Sequence, residues 1–101
     1  MSFTPEAAVD IIEIWEYDAI DSPRAARRVR EDIMNALRNL VEFPHQGFRR
    51  PDITSRALRC KLVRDYLIAY APSENPLWVV AVIHGRRNPR FMARILRGRE
   101  V

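Results

Sequence analysis

The sequence predicts an α+β protein in which an N-terminal antiparallel helical hairpin packs on a small antiparallel β-sheet, followed by a short C-terminal helix or tail. Apolar residues recur at helical spacing between residues 5 and 41. Three short runs rich in β-branched and aromatic residues follow, and the short links between them favour antiparallel pairing. A chain of 101 residues has the length of one domain, so we expect residues 1–101 to form a single unit.

The first helix is predicted to run from Pro5 to Ile20. Thr4 suits the capping position, and Pro5 suits the first helical position because the N–H that proline lacks has no partner there. A weak strand signal precedes the helix at residues 1–3. The residues expected to form its buried stripe are Ala8, Ile11, Ile12, Trp15 and Ala19.

The second helix is predicted from Pro23 to Val41, with Ser22 as its cap. The link between the helices is short, so they should be antiparallel neighbours. Arg27 with Glu31, and Arg28 with Asp32, have the spacing of ion pairs along the outer surface. The expected apolar face consists of Ala26, Val29, Ile33, Leu37 and Leu40.

Strands are predicted at residues 58–63, 66–71 and 77–84, and a short helix at residues 90–96. The third strand is apolar on both sides, as is typical of a central strand covered by helices. Alternation in the first strand places Leu58, Cys60 and Leu62 on the core side, and Arg59 and Lys61 on the other side.

Charge is distributed unevenly along this chain of net charge +4 and isoelectric point near 10.0. Residues 1–21 contain six acids and no Lys or Arg, whereas residues 85–101 contain six arginines and one acid. A basic end of this kind attracts phosphate or an acidic protein surface. The two histidines and the single Cys60 have no metal-ligand spacing, so we expect neither metal nor cofactor.

Cellular location is predicted from three absences in the sequence. No apolar run is long enough to span a bilayer, and the N-terminus has no secretion signal. A lone Cys60 has no internal disulfide partner, which suits the cytoplasm, and we interpret it as a small apolar filler.

Four segments together resemble the RelE/ParE toxin superfamily of bacterial type II toxin–antitoxin systems. They are TPEAAVDIIEIWEY at residues 4–17, LRNLVEFPHQG at 37–47, DYLIAY at 65–70 and VIHGRRNP at 82–89. The first and last are most similar to the ParE branch. The resemblance implies the fold predicted above, growth arrest, plasmid stabilisation, and a cognate antitoxin that wraps the toxin in a hetero-oligomer.

The two branches of the superfamily imply different targets. ParE-like members inhibit DNA gyrase, whereas RelE-like members are endoribonucleases that cut messenger RNA on the ribosome. The cutting chemistry needs proton donors and acceptors beside cations. Here Leu67 stands where the cutting branch has an arginine, and Phe91 cannot transfer a proton. Ala81 departs from the ParE pattern, which frequently has an arginine there.

We therefore expect a gyrase inhibitor, with a ribosome-dependent endoribonuclease or a decayed toxin that only binds antitoxin as the alternatives. The predicted toxicity surface is His84, Arg86, Arg87, Arg90 and Phe91. The candidate nuclease set is Arg59, Lys61, His84 and Arg87, and the candidate antitoxin-binding residues are Arg59, Lys61 and Trp78. Structural interpretations stay open: His84 as a strand-end cap, the arginines as a solvated turn, and both tryptophans as core.

Overall fold

A computed structural model describes residues 1–99. Its elements are β1 (Ser2–Phe3), α1 (Pro5–Asp21), α2 (Pro23–Glu42), β2 (Arg59–Val63), β3 (Tyr66–Ala71), β4 (Trp78–His84) and α3 (Pro89–Arg97). Every predicted boundary lies within one residue of the observed one. None of the helices in the described part of the chain is both long and apolar enough to cross a membrane.

The four strands form one sheet in the order β1-β4-β3-β2. The β2–β3 and β3–β4 pairs are antiparallel, as predicted. β1 makes the sheet mixed, because it lies parallel to β4 with Phe3 opposite Val79. A parallel pair needs a long crossover, and here α1, α2 and the rest of the sheet supply it.

Both faces of the sheet are covered, and we name each face by what covers it. The hairpin face packs against α1 and α2 around Ile33, Leu37 and Leu40. The α3 face packs against Met92 and Leu96. β4 lies between the two cores, which explains why its sequence is apolar on both sides.

The burial pattern confirms α2 but corrects α1 and β2. The predicted apolar face of α2 is buried, with Val29 half-buried. In α1 the buried residues are Ala7 and Ile11, whereas Ile12 is 49% exposed and Ala19 is also exposed. One side of α1 contacts the sheet, and a second side contacts α2. The third side of α1 therefore faces solvent. Leu62 is 56% exposed because α3 packs on β4 and leaves the end of β2 uncovered.

The predicted ion pairs of α2 do not form. Asp32 instead accepts a hydrogen bond from the Arg64 guanidinium at 2.6 Å. Arg64 begins the tight turn between β2 and β3 with φ of 53°, a left-handed conformation that positions its side chain over α2. The contact therefore joins the hairpin to the sheet rather than supporting the helix alone.

Candidate functional site

A cleft of about 510 Å³ opens where β4 ends, between α1 and α3. Asp10, Glu13 and Tyr17 of α1 line one wall, Arg87, Phe91 and Ile95 line the other, and Val82 and His84 form the floor. The predicted toxicity surface therefore borders a concave site. Among residues 1–99, no group of three or more His, Cys, Asp or Glu side chains is placed to hold a metal ion.

The floor of the cleft is an edge of β4 that β1 does not cover. β1 ends opposite Val79, and beyond that point side chains form hydrogen bonds with the backbone of β4. The Thr4 hydroxyl donates to the Val80 carbonyl at 3.3 Å, and the Val82 N–H donates to the Asp10 carboxylate at 3.0 Å. Alternation along a strand points the His84 N–H the same way. No strand among the described residues pairs with it on this side.

A second contact to the same edge comes from the chain's basic end. Arg99 donates to both carboxylate oxygens of Asp10, at 2.5 and 3.0 Å, and to the Val80 carbonyl at 3.1 Å. The two side chains are only 15% and 16% exposed. Arg56 supports this arrangement by donating to the carbonyls of Leu96 and Arg99. One arginine of the basic end is therefore engaged within the fold and not free for a partner.

His84 organises the turn that carries the arginines. Its Nδ1 accepts the Arg86 N–H at 3.2 Å, and its carbonyl accepts the Arg87 N–H at 3.0 Å. Gly85 fixes the turn to the sheet by donating to the Asp65 carbonyl at 2.7 Å. These contacts give His84 the structural role of a strand-end cap, and they fix the backbone of Arg86 and Arg87 at the rim of the cleft, which Arg87 also lines.

Tyr66 is a site residue that the sequence interpretation missed. It lies opposite His84 in the β3–β4 register, with ring centroids 5.5 Å apart. Its hydroxyl donates to the Asp18 carboxylate at 3.3 Å. Burial, together with the Asp18 charge, raises the pKa of Tyr66 to about 12. Only the strand register reveals this position, because Tyr66 and His84 are far apart in sequence.

Replacing Tyr66 by phenylalanine is expected to reduce the loss of stability at alkaline pH. Unfolded tyrosine releases its proton near 10, whereas folded Tyr66 keeps it to about 12, so the native protein loses stability as pH rises through this interval. The free energy of unfolding, measured by urea titration below and above pH 10, should fall less steeply in the variant. Tyr17→Phe, at a residue that is 70% exposed, is the control, and equal slopes in all three proteins would contradict the assignment.

The predicted toxicity surface forms one continuous patch. Arg86, Arg87 and Arg90 are exposed, and the Arg87 guanidinium lies 4.8 Å from the centroid of the Phe91 ring. The Asn88 side chain caps α3 by accepting the Arg90 N–H at 2.8 Å, which fixes the helix against the turn. The patch can make bidentate contacts with carboxylate or phosphate beside an aromatic surface.

The candidate nuclease residues are not brought together. Arg59 of β2 lies opposite Tyr70 of β3, whereas His84 of β4 lies opposite Tyr66 of β3. Arg59 and His84 are therefore separated by four residues along the strands, about 13 Å, and by two strand spacings across the sheet, about 10 Å. Arg59 donates to the Gly47 carbonyl at 2.8 Å and Lys61 to Gln46 at 3.1 Å. These two cations hold the loop that follows α2, remote from the cleft.

The candidate antitoxin residues do not share one surface either. Arg59 and Lys61 lie on the hairpin face, whereas Trp78 packs on the α3 face. Leu67 and Ala81, at the positions compared with arginines of relatives, are 2% and 0% exposed in the core of the α3 face. Cys60 is also buried, and burial raises its pKa to about 11, so the thiol is an inert filler.

Comparison with known proteins identifies related sequences and folds. Residues 1–89 match the sequence model of a family described as "ParE toxin of type II toxin-antitoxin system, parDE". Among solved structures, the chain is similar to one described as "Chromosomal ParDE TA system from P. aeruginosa", with a TM-score of 0.69 and 17% identity. That match covers 82% of this chain and 91% of the other and shows the shared fold. No curated protein matches the sequence.

Proposed function

The chain belongs to the ParE toxin family of type II toxin–antitoxin systems, and on that basis we propose that it arrests growth in the cytoplasm by binding DNA gyrase until a cognate antitoxin neutralises it. The proposed contact surface is the predicted toxicity surface, from His84 to Phe91. The observation that carries the proposal is the turn in which His84 fixes the backbone of the exposed Arg86 and Arg87, beside an open cleft that Arg87 lines.

Inhibition by contact is better supported than cleavage of RNA. Arg59 and Lys61 hold the loop after α2 and do not line the cleft that His84 and Arg87 line. Phe91, next to Arg87, cannot give or take a proton. Exposed, preorganised arginines beside an aromatic ring have the composition of protein-binding hot spots. The endoribonuclease remains the alternative that experiment must separate.

We also propose that the antitoxin occupies the cleft and so masks the predicted toxicity surface. An extended segment can pair with the open edge of β4 through the His84 N–H, since strand addition would satisfy a backbone group that no strand within residues 1–99 pairs with. Arg87 on one wall would attract carboxylates of that segment, and Tyr17 and Phe91 offer apolar surface. The complex would be a toxin–antitoxin hetero-oligomer.

Reversing two charges of the predicted toxicity surface is expected to abolish growth arrest. The variant Arg86→Glu/Arg87→Glu, induced without antitoxin, should let cells grow, and the concentration needed to inhibit supercoiling by purified gyrase should rise at least about tenfold. Arg94→Glu/Arg97→Glu makes the same charge change on exposed α3 positions outside the surface and is the matched control. Circular dichroism verifies that both variants fold. Full toxicity of the first variant would overturn the proposed surface.

Pulse labelling after induction separates the candidate targets. An early fall in DNA synthesis with intact translation supports gyrase inhibition. An early fall in translation, with messages cut at the ribosomal A site, overturns the gyrase proposal and supports the endoribonuclease. Normal growth of cells expressing the unmodified chain would support a decayed toxin that only binds antitoxin.

A further inference from the structure

The solvent-facing side of the helical hairpin, here called the outer face, carries an apolar stripe on α1. Val9, Ile12 and Ile20 are 51%, 49% and 81% exposed. Their spacing along the helix places them on one side, together with Glu16. α1 contains acidic residues and no Lys or Arg. Single exposed apolar residues are ordinary, but an aligned set bordered by charges of one sign is typical of an interaction surface.

On α2 the outer face carries the opposite charge. Arg27, Arg30 and Arg38 border a shallow recess of about 610 Å³ around the half-buried Met34. Glu31 and Asn35 complete the lining, so the recess keeps an excess of positive charge. Arg30 stacks on Trp15 of α1 with its guanidinium carbon 4.5 Å from the ring centroid. Within residues 1–99, none of the three arginines forms a salt bridge. The outer face is therefore divided lengthwise into α1, whose charged residues are all acidic, and α2, whose arginines outnumber its acids.

We propose that the outer face binds a second copy of this chain. A two-fold axis parallel to the helices places α1 of one copy over α2 of the other in antiparallel orientation, giving four packed helices. Acidic α1 then faces basic α2 twice, and the apolar stripe of Val9, Ile12 and Ile20 meets Met34 of the partner copy. The outer face adjoins the cleft at Glu13, which also lines one cleft wall, and the proposal is independent of the gyrase target.

The charge division argues for a second copy over other occupants. A nucleic acid drawn to the arginines of α2 would be repelled by Glu13 and Glu16 of α1. A uniformly acidic protein segment would meet the same repulsion, and a uniformly basic one would meet Arg27 and Arg38. Only a partner with both signs in the reverse order is complementary, and the two-fold operation supplies that order from the chain itself.

Two charge-reversed variants test the proposed dimer, and the test does not require knowing how far the facing helices are shifted along one another. Glu13→Arg/Glu16→Arg reverses the charge of these two α1 positions, and Arg27→Glu/Arg38→Glu reverses the charge of two α2 positions. By sedimentation equilibrium the unmodified chain should show twice its mass of 11.8 kDa. Each variant alone should dimerise more weakly, with a dissociation constant raised at least about tenfold. An equimolar mixture of the two should restore the dimer, because each helix then faces its opposite.

Control variants and salt make each outcome decisive. Arg94→Glu/Arg97→Glu on α3 changes charge equally but should leave the dimer intact. The dimer of the unmodified chain should weaken as ionic strength rises, because exposed charges are screened. A monomeric unmodified chain at every concentration and low salt overturns the proposal. A dimer that persists in both charge-reversed variants also overturns it. The proposal is likewise overturned if the equimolar mixture of the two variants is folded but stays monomeric. If the unmodified chain stays monomeric but binds added RNA or DNA, and Arg27→Glu/Arg38→Glu loses that binding, the arginines form a nucleic-acid surface instead.

Discussion

Replacing Asp10 by alanine is expected to lower the free energy of unfolding by about 3 kcal/mol, the scale on which a partly buried ion pair responds to losing one partner. The Asp10 carboxylate accepts three hydrogen bonds, two from Arg99 and one from the Val82 N–H. The variant leaves the Arg99 side chain, which is 15% exposed, without its counter-ion, and it leaves the Val82 N–H without an acceptor. Each loss costs more than the hydrogen bond itself contributes.

Urea unfolding of Asp10→Ala measures this cost, with Asp52→Ala as the control. Asp52 also accepts two hydrogen bonds from one arginine, Arg50, but this ion pair is exposed to solvent. Replacing Asp52 should therefore change the free energy of unfolding little. The double variant Asp10→Ala/Arg99→Ala should recover part of the loss, because no unpaired cation remains. Equal effects of Asp10→Ala and Asp52→Ala would contradict the role assigned to the Asp10–Arg99 pair.

Replacing Gly47 by alanine is expected to cost about 3 kcal/mol through a clash that the surroundings resist. A Cβ at this position would lie 2.4 Å from the Tyr70 hydroxyl oxygen and 2.7 Å from the Cys60 carbonyl. Tyr70 is fully buried, and its hydroxyl accepts the Gly47 N–H at 3.0 Å and donates to the Pro44 carbonyl at 2.7 Å. Relieving the clash would require breaking the two hydrogen bonds by which Tyr70 holds the loop after α2.

The same replacement at Gly98 is the matched control for Gly47. Its nearest neighbour for a new Cβ is the Ile95 carbonyl at 3.6 Å, an ordinary contact. Thermal unfolding should show Gly47→Ala melting well below the unmodified chain and Gly98→Ala near it. A Gly47→Ala protein with unchanged melting temperature would mean that the loop yields without breaking the Tyr70 contacts.

Local signals account for the accuracy of the predicted elements. Thr4 and Ser22 cap their helices through side-chain hydrogen bonds to Ala7 and Ala25, as their positions before prolines indicated. Errors arose where burial depends on neighbours distant in sequence. Ile12 has the spacing of a buried residue yet faces solvent, and the parallel pairing of β1 depends on where β4 comes to lie.

The same distinction holds for the candidate site. The predicted toxicity surface is contiguous in sequence, so its residues lie together once a turn and a helix form. Grouping Trp78 with Arg59 required knowledge of strand order and of the irregular register between Ala69 and Tyr70, which no local pattern provides. Tyr66 beside His84 and Asp10 beside Arg99 were missed for this reason.

The Asp10–Arg99 pair has a kinetic consequence during synthesis of the chain. Residue 10 is synthesised long before residue 99, and β1 long before β4, so neither contact can form until the later residue is available. Contacts of such long sequence separation slow folding, because the intervening loop must be closed before they form. A chain that ends before residue 99 would therefore keep an unfinished strand edge beside the cleft, because the Asp10 carboxylate and the Val80 carbonyl would both lack Arg99.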